Sequence, residues 1–364
     1  MAQTAIERTV SSPYMEWAKQ CSAAKYNLAT SGMMAYPLSE LPVKLEELEI
    51  NGPSLYGFEP LISALAQKFD VNPACVVTAA GTSFANHLAF AALFEPGDEV
   101  VWEQPSYEPM VSTALFVGAR LRRFPRRFED GFRVDPREVE KAVTPRTRLI
   151  VLCNLHNPSS VLTSHETLAE IGDIARRVGA RVLVDEVYLE ALFEKQPPTS
   201  FHLGSQFVVT SSLTKAYGLS GLRCGWILAE PALAKRMWRL NDLYAATPAF
   251  PAELISVVAL ANLRRVAQRA QDVLKKNHAA MNAFLDSRDD LETVRPGIGT
   301  TVFPRLKRGN VDDFTDFLRR DFETSIVPGR FFEMPQHFRL GMGGDPEMTA
   351  EGLKRVGAAL DRWK

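Results

Sequence analysis

The sequence predicts an α/β fold, with a mostly parallel central sheet, helices on both faces and a smaller α+β domain beside it. Three observations carry this. Short apolar runs of strand length alternate with helical segments through the first two-thirds of the chain, the pattern of repeated strand–helix units. Polar residues recur at the ends of those runs: Asn157 after 149–153, Asp185 after 181–184, Ser212 and Lys215 after 207–210. With 364 residues and 46% hydrophobic content, the chain suits a major domain and a lesser one.

In chain order, a helix is expected over 60–69. Val76-Val-Thr-Ala-Ala-Gly-Thr-Ser-Phe-Ala-Asn-His then reads as a strand at 76–78, a glycine turn and a helix over 83–94. A strand at 99–102 leads through Glu103-Gln-Pro-Ser-Tyr into a helix over 106–117. The basic run Arg122-Arg-Phe-Pro-Arg-Arg reads as a solvated surface strand and loop. Strands at 149–153, 181–184, 207–210 and 224–229 alternate with helices over 165–178 and 231–244. One long helical pattern from 251 to 287 leaves this large domain, expected over 41–287. The remainder reads as strands, a helix near 311–322 and a last helix over 346–363. With the N-terminal segment it forms the small domain, 1–40 and 288–364. Substrate is expected between the two, so that closure would assemble the site and exclude water.

In an open α/β sheet, ligands bind outside the carboxyl ends of the strands. The residues gathered there suit an aldehyde cofactor carrying a phosphate, pyridoxal 5'-phosphate. Lys215, in Ser211-Ser-Leu-Thr-Lys-Ala-Tyr-Gly, would hold the aldehyde. An amine attacks a carbonyl only when neutral, so its pKa must be lowered by burial or by nearby positive charge. A lone lysine is usually just an exposed loop residue; its neighbours decide here. Asp185 ends an apolar run, costly for a carboxylate without a cationic partner. A protonated pyridine nitrogen is such a partner, and keeping it protonated lets the ring draw electrons. Tyr188 and Asn157 would donate to the phenolic oxygen, though Tyr188 read alone is ordinary packing. For the phosphate, the backbone N–H groups of Gly81 and Thr82 at a helix start would join Ser212 and the guanidinium of Arg223. Tyr107 would stack on the pyridine face.

These segments, in this order, resemble the class I/II aminotransferases of fold type I, the aspartate aminotransferase superfamily, from about Gly32 to about Gly343. Ser212-Leu-Thr-Lys215 with Arg223, Asp185-Glu-Val-Tyr188 and His156-Asn-Pro-Ser-Ser carry the likeness. The resemblance implies further roles. Tyr56 would reach the cofactor phosphate of a neighbouring subunit, which makes a homodimer with shared active sites the expected state. Arg339, in Phe338-Arg-Leu-Gly-Met-Gly, would bind the substrate α-carboxylate through its planar fork. Gly32 would lie near the substrate, with Asn157. The chain departs from the family at three points. Asn154-Leu-His-Asn-Pro replaces the common Asn-Pro-x-Asn-Pro, Ser160 replaces the following glycine, and Ala80 stands where many relatives have a hydroxyl. His156 reads as a structural histidine in a turn.

The expected reaction moves an amino group between an α-amino acid, aspartate foremost, and a 2-oxo acid. Lys215 would be both imine anchor and acid–base catalyst, with Asp185 and Tyr188 beside it. The alternative keeps the cofactor and changes the reaction to that of a cyclase or lyase. Met15-Glu-Trp-Ala and Tyr26-Asn-Leu-Ala-Thr-Ser-Gly resemble amino-acid cyclases of antibiotic pathways. A ligand-sensing regulator on this fold would carry a DNA-binding domain before the match, where about 30 residues stand. A net charge of −1 gives no reason to invoke nucleic acid. No metal site is expected: Cys21, Cys75, Cys153 and Cys224 follow neither a zinc pattern nor a disulfide framework. With no membrane-length apolar run and no secretory stretch, the expected location is cytoplasmic.

Overall fold

The computed structural model describes residues 9–363. At its centre is a seven-stranded sheet in the order Val76–Ala80, Cys224–Leu228, Phe207–Ser212, Arg181–Asp185, Thr147–Cys153, Glu99–Gln104, Arg120–Pro125. Cys224–Leu228 runs antiparallel to both neighbours and the other pairings are parallel. Six strands therefore end at one edge, and the reversed strand begins there. The register fixes which residues meet at that edge. Cys153 lies opposite Asp185, Asp185 opposite Thr210, Ser212 opposite Gly225, and Ala80 opposite Cys224.

The apolar strands are explained by burial on both faces, since successive side chains point to opposite sides. Val100, Trp102, Leu149, Val151, Leu183 and Val208 pack on one face, against helices α3 (Gly81–Leu93) and α4 (Glu108–Val117). Their alternates Val101, Ile150, Leu152, Val182 and Val184 pack on the other, against Leu168, Ile171 and Ala175 of His165–Val178. Two further helices precede α3 in the chain: α1 (Pro13–Gln20) and α2 (Glu59–Phe69). Among the described residues no helix is long and apolar enough to cross a membrane.

A second core surrounds Phe338–Gly341, which pairs antiparallel with Thr301–Val302 and Val327–Pro328. It contains Leu28 and Met33 from the N-terminal segment and Leu274, Met281 and Phe284 from the helix Leu263–Asp286. That same helix sends Val266 into a core beneath the large sheet, so it spans both.

The helices expected over 165–178 and 311–322 are found at those bounds, as His165–Val178 and Val311–Phe322. Elsewhere the structure corrects the sequence reading. The single helix expected over 251–287 is two, Phe250–Ala261 and Leu263–Asp286, parted at Asn262. The Asn262 amide donates to the Val258 carbonyl at 2.8 Å, the local competition by which asparagine interrupts helices. Helix α1 and the helix Pro136–Ala142 were not anticipated.

The basic run is not wholly solvated. Arg120–Pro125 is an edge strand, but Arg126 just beyond it is 1% exposed. Its guanidinium donates to Glu103 at 2.8 Å and to the Phe132 carbonyl at 2.6 Å. Glu103 also accepts from the Cys153 N–H at 2.7 Å, which ties the edge to the centre of the sheet. Removing one partner of such a pair leaves a buried charge uncompensated. Arg126→Met should therefore lower stability to urea by about 3–5 kcal/mol. A loss below about 1 kcal/mol would show that the pair is not holding this corner.

Candidate active site

Lys215 follows the strand Phe207–Ser212 in a one-turn helix, Thr214–Tyr217, which Gly218 closes at φ +69. A Cβ on Gly218 would lie 2.1 Å from the Met34 carbonyl oxygen, so only glycine lets the N-terminal segment pass this close. That segment is bonded in place, Met33 N–H to the Lys215 carbonyl at 2.8 Å and Tyr36 N–H to the Gly218 carbonyl at 3.0 Å. It presents Ser31, whose hydroxyl oxygen accepts from the Lys215 amine at 3.1 Å and from the Tyr188 hydroxyl at 2.7 Å. Burial, then the charge of Arg339, lowers the Lys215 pKa to about 8, with Asp185 opposing.

Asp185 ends its strand 4% exposed. It accepts from the Asn86 amide at 3.0 Å and the Val187 N–H at 3.0 Å. Thr210 in turn donates to Asn86 at 2.6 Å and orients it. Among the described residues no cation forms an ion pair with this carboxylate. Burial raises its pKa to about 6 against those bonds and the charge of Lys215. A carboxylate held this way suits a cation on a ligand.

The start of α3 forms a concave corner with the reversed strand. Gly81 has φ +79, and a Cβ there would meet the Arg223 guanidinium at 2.2 Å. A Cβ on Gly225 would come within 2.4 Å of the Gly81 backbone. Thr82 donates to the Ser212 hydroxyl at 2.8 Å, and Arg223 to the Ala80 carbonyl at 3.1 Å. Helix-start N–H groups, two hydroxyls and a guanidinium make this corner an anion cradle.

Arg339 is wholly buried. It donates to Asn157 Oδ1 at 2.9 Å, to the Tyr14 hydroxyl at 3.0 Å and to the Ala29 carbonyl at 3.1 Å, while its Nε has no partner among the described residues. Tyr14 belongs to α1 and packs edge-on against Tyr107, ring centroids 5.2 Å apart. A cavity of about 570 Å³ joins these parts, lined among others by Thr82, Tyr107, Asn157, Asp185, Tyr188, Ser212, Lys215 and Arg223. Met15 and Lys19 of α1 also line it.

The sequence-predicted residues thus converge, with three distinctions. Gly32 abuts the lysine, since a Cβ on it would meet Lys215 Cδ at 3.2 Å. Arg339 reaches the site through Asn157 and Tyr14 and does not line the cavity wall. Tyr56 is not brought into the cavity: 44% exposed, it stacks edge-on against Trp238 and bonds with Asp242 and Arg239. Sequence reasoning missed Asn86, Ser31 and Tyr14. Ser31 adjoins Gly32, and Asn86 lies one turn beyond Thr82 on the helix that begins at Gly81, so both were near a signal. Tyr14 had none.

Two of the three departures are also explained. Ser160 keeps a left-handed φ of +59, and its hydroxyl donates to the Thr301 carbonyl at 2.8 Å. Gly299 makes room, because a Cβ there would meet Ser160 at 2.6 Å. His156 is buried, with Nδ1 bonded to Ser159 at 2.6 Å and Nε2 to the Pro105 carbonyl at 3.0 Å, and it holds the turn. Burial pushes its pKa well down.

Residues 50–356 match the family model described as aminotransferase class I and II. The chain belongs to this family. It is a pyridoxal-phosphate-dependent transferase, and the unpaired Asp185 carboxylate and the anion cradle fit that cofactor's ring nitrogen and phosphate. The chain is 29% identical to capreomycidine synthase of Streptomyces vinaceus over 363 residues, covering 96% of this chain and 93% of that one. It is 27% identical to an arginine–pyruvate transaminase of Pseudomonas aeruginosa over 289 residues, covering 77% and 73%. The solved structure of a PLP-dependent aminotransferase from Streptococcus suis superposes with TM-score 0.90 at 25% identity, over 96% of this chain and 97% of that one.

The amine of Lys215 is cationic below about pH 8 and neutral above it. Acylation of Lys215 in the cofactor-free protein, followed by peptide mass mapping, should reach half its maximal rate near pH 8 rather than near the ordinary 10.5. A midpoint above 10 would mean that the amine is not depressed.

Proposed function

We propose that the enzyme moves an amino group between an α-amino acid and a 2-oxo acid, with Lys215 as cofactor anchor and proton carrier. The observation that carries this reading is the Lys215 amine, buried and lowered toward neutrality between Asp185 and Arg339. Bound pyridoxal phosphate supplies an aldehyde that links to amines and a ring that draws electrons from the substrate α-carbon.

The residues divide the remaining work. Gly81, Thr82, Ser212 and Arg223 hold the phosphate; Asp185 keeps the ring nitrogen protonated. Asn157 would donate to the phenolic oxygen, Tyr188 would do so by turning its one hydroxyl proton away from Ser31, and Tyr107 would cover a ring face. Arg339 takes the substrate α-carboxylate with Asn157, offering its unpaired Nε and fixed fork. The Lys215 amine would take up and return the proton of the substrate α-carbon. Ser31, bonded to both Lys215 and Tyr188, orients the amine for that shuttle. Gly32 leaves the lysine arm room to swing. Tyr56 serves the site of a second copy, and the exposed Leu55, Leu243 and Tyr244 are apolar surface that a homodimer would cover. Aspartate with 2-oxoglutarate is the first substrate pair to test, in a cytoplasmic setting.

A cyclase reading is supported by one observation. The likeness to capreomycidine synthase extends over 96% of the chain, whereas the family model begins at residue 50.

The test is the visible spectrum of the holoenzyme against a panel of amino acids, followed by product analysis. Transfer predicts conversion to the amino form of the cofactor by one donor and reversal by a 2-oxo acid. Lys215→Ala should lose the absorbance of the lysine-linked cofactor and slow the exchange by about 10²–10⁴-fold. A cyclic amino acid as product, with no reversible amine exchange, would replace transfer by the cyclase reading.

A further inference from the structure

We propose that two adjacent buried threonines, Thr300 and Thr301, are positioning residues for the two ends of the site. Thr300 holds Ser31 against Lys215, and Thr301 holds the Asn157 loop against Arg339. The inference rests on the amino-transfer reading for what Lys215 and Arg339 do.

The pair lies where the chain enters the strand Thr301–Val302, beside the strand Phe338–Gly341 that carries Arg339. Thr301 is opposite Gly341, and the Met342 N–H donates to the Thr300 carbonyl at 2.7 Å. Their backbone is therefore in register with Arg339. The residue before them is tied as well, since His278 Nε2 bonds to the Gly299 carbonyl at 2.9 Å.

From this shared base the two hydroxyls diverge. Thr300 donates to the Ser31 carbonyl at 2.6 Å, and the Ser31 hydroxyl meets the Lys215 amine at 3.1 Å and the Tyr188 hydroxyl at 2.7 Å. Thr301 donates to the Pro158 carbonyl at 3.0 Å, and its N–H donates to the Ser160 hydroxyl at 3.3 Å. Pro158 follows Asn157, whose Oδ1 accepts from Arg339 at 2.9 Å. Neither carbonyl has another donor among the described residues. Both threonines are buried, so a carbonyl that lost its donor would stay unpaired or move to find one. Movement of Ser31 acts on the amine; movement of Pro158 acts on Asn157 and through it on Arg339. A misplacement of about 1 Å can cost about 10²-fold in rate. Threonine in a strand is by itself ordinary packing. These two differ in that each hydroxyl goes to a carbonyl beside or within a residue that touches a functional side chain.

The test removes one hydroxyl at a time, as Thr300→Val and Thr301→Val. In the cofactor-free protein, Thr300→Val should raise the midpoint of Lys215 acylation above about 8, because a loosened Ser31 admits water to an amine whose pKa burial lowers. Thr301→Val should leave that midpoint unchanged. In the holoenzyme, calorimetric titration with propionate, a carboxylate with no amine, should weaken about tenfold in Thr301→Val and stay within about twofold in Thr300→Val. Amine exchange should divide the same way: kcat falls about tenfold in Thr300→Val, and KM rises about tenfold in Thr301→Val. Thr300→Ser and Thr301→Ser keep the hydroxyl and should match the natural protein; alanine replaces valine where a valine variant does not fold. Equal effects of the two substitutions on both binding and acylation, no effect of either, or a natural protein that does not bind propionate would overturn the proposal. The two readings fail separately. With no amine exchange by any donor, transfer falls, while acylation and propionate binding still decide the roles of the threonines.

Discussion

The site is organised around the carboxylate of Asp185, placed by the parallel strands at the edge of an apolar sheet, where among the described residues no cation forms an ion pair with it. The carboxylate is kept in position by Asn86, which Thr210 orients, and by a backbone N–H. Burying an unmatched charge is expensive, and the expense is consistent with a site shaped for a cationic ring. The reversed strand Cys224–Leu228 completes the arrangement. Because it starts where its neighbours end, Arg223 arrives beside the helix start at Gly81, and the anion cradle lies within the same cavity as the carboxylate.

The N-terminal segment links the two cores. Met33 bonds to the Lys215 carbonyl and Met34 to the Gly343 carbonyl, while Leu28 is buried in the C-terminal core. Ser31 and Tyr14 then touch Lys215 and Arg339 from the same stretch of chain. A shift of this segment would be felt by Lys215 and by Arg339 together. Helix α1 thus contacts Arg339 although it lies outside the matched residues 50–356.

Much of this was legible in the sequence, for a physical reason. Strands buried on both faces are apolar throughout, so a polar residue at a strand end stands out; Asp185, Ser212 and Asn157 were visible in this way. Residues that act through another side chain gave weaker signals. Asn86 sits on a helix, and nothing in its neighbours says that it faces a carboxylate. The burial of Arg126 was hidden because its partner, Glu103, lies on another strand. Tyr56 lies away from the cavity of its own chain, and the role expected for it needs a second copy. The interruption at Asn262 falls within an unbroken helical periodicity, where one side-chain bond outweighs the pattern.

The central claim is that Asp185 is matched to a protonated ring nitrogen. It is tested most directly by comparing the affinity of the cofactor-free protein for pyridoxal phosphate with that for an analogue whose ring nitrogen is replaced by carbon, in the natural protein and in Asp185→Asn. The account predicts that the natural protein prefers the nitrogen-bearing cofactor by roughly tenfold or more and that Asp185→Asn loses most of that preference. Equal binding of both compounds by the natural protein, or a preference untouched by the substitution, would contradict it.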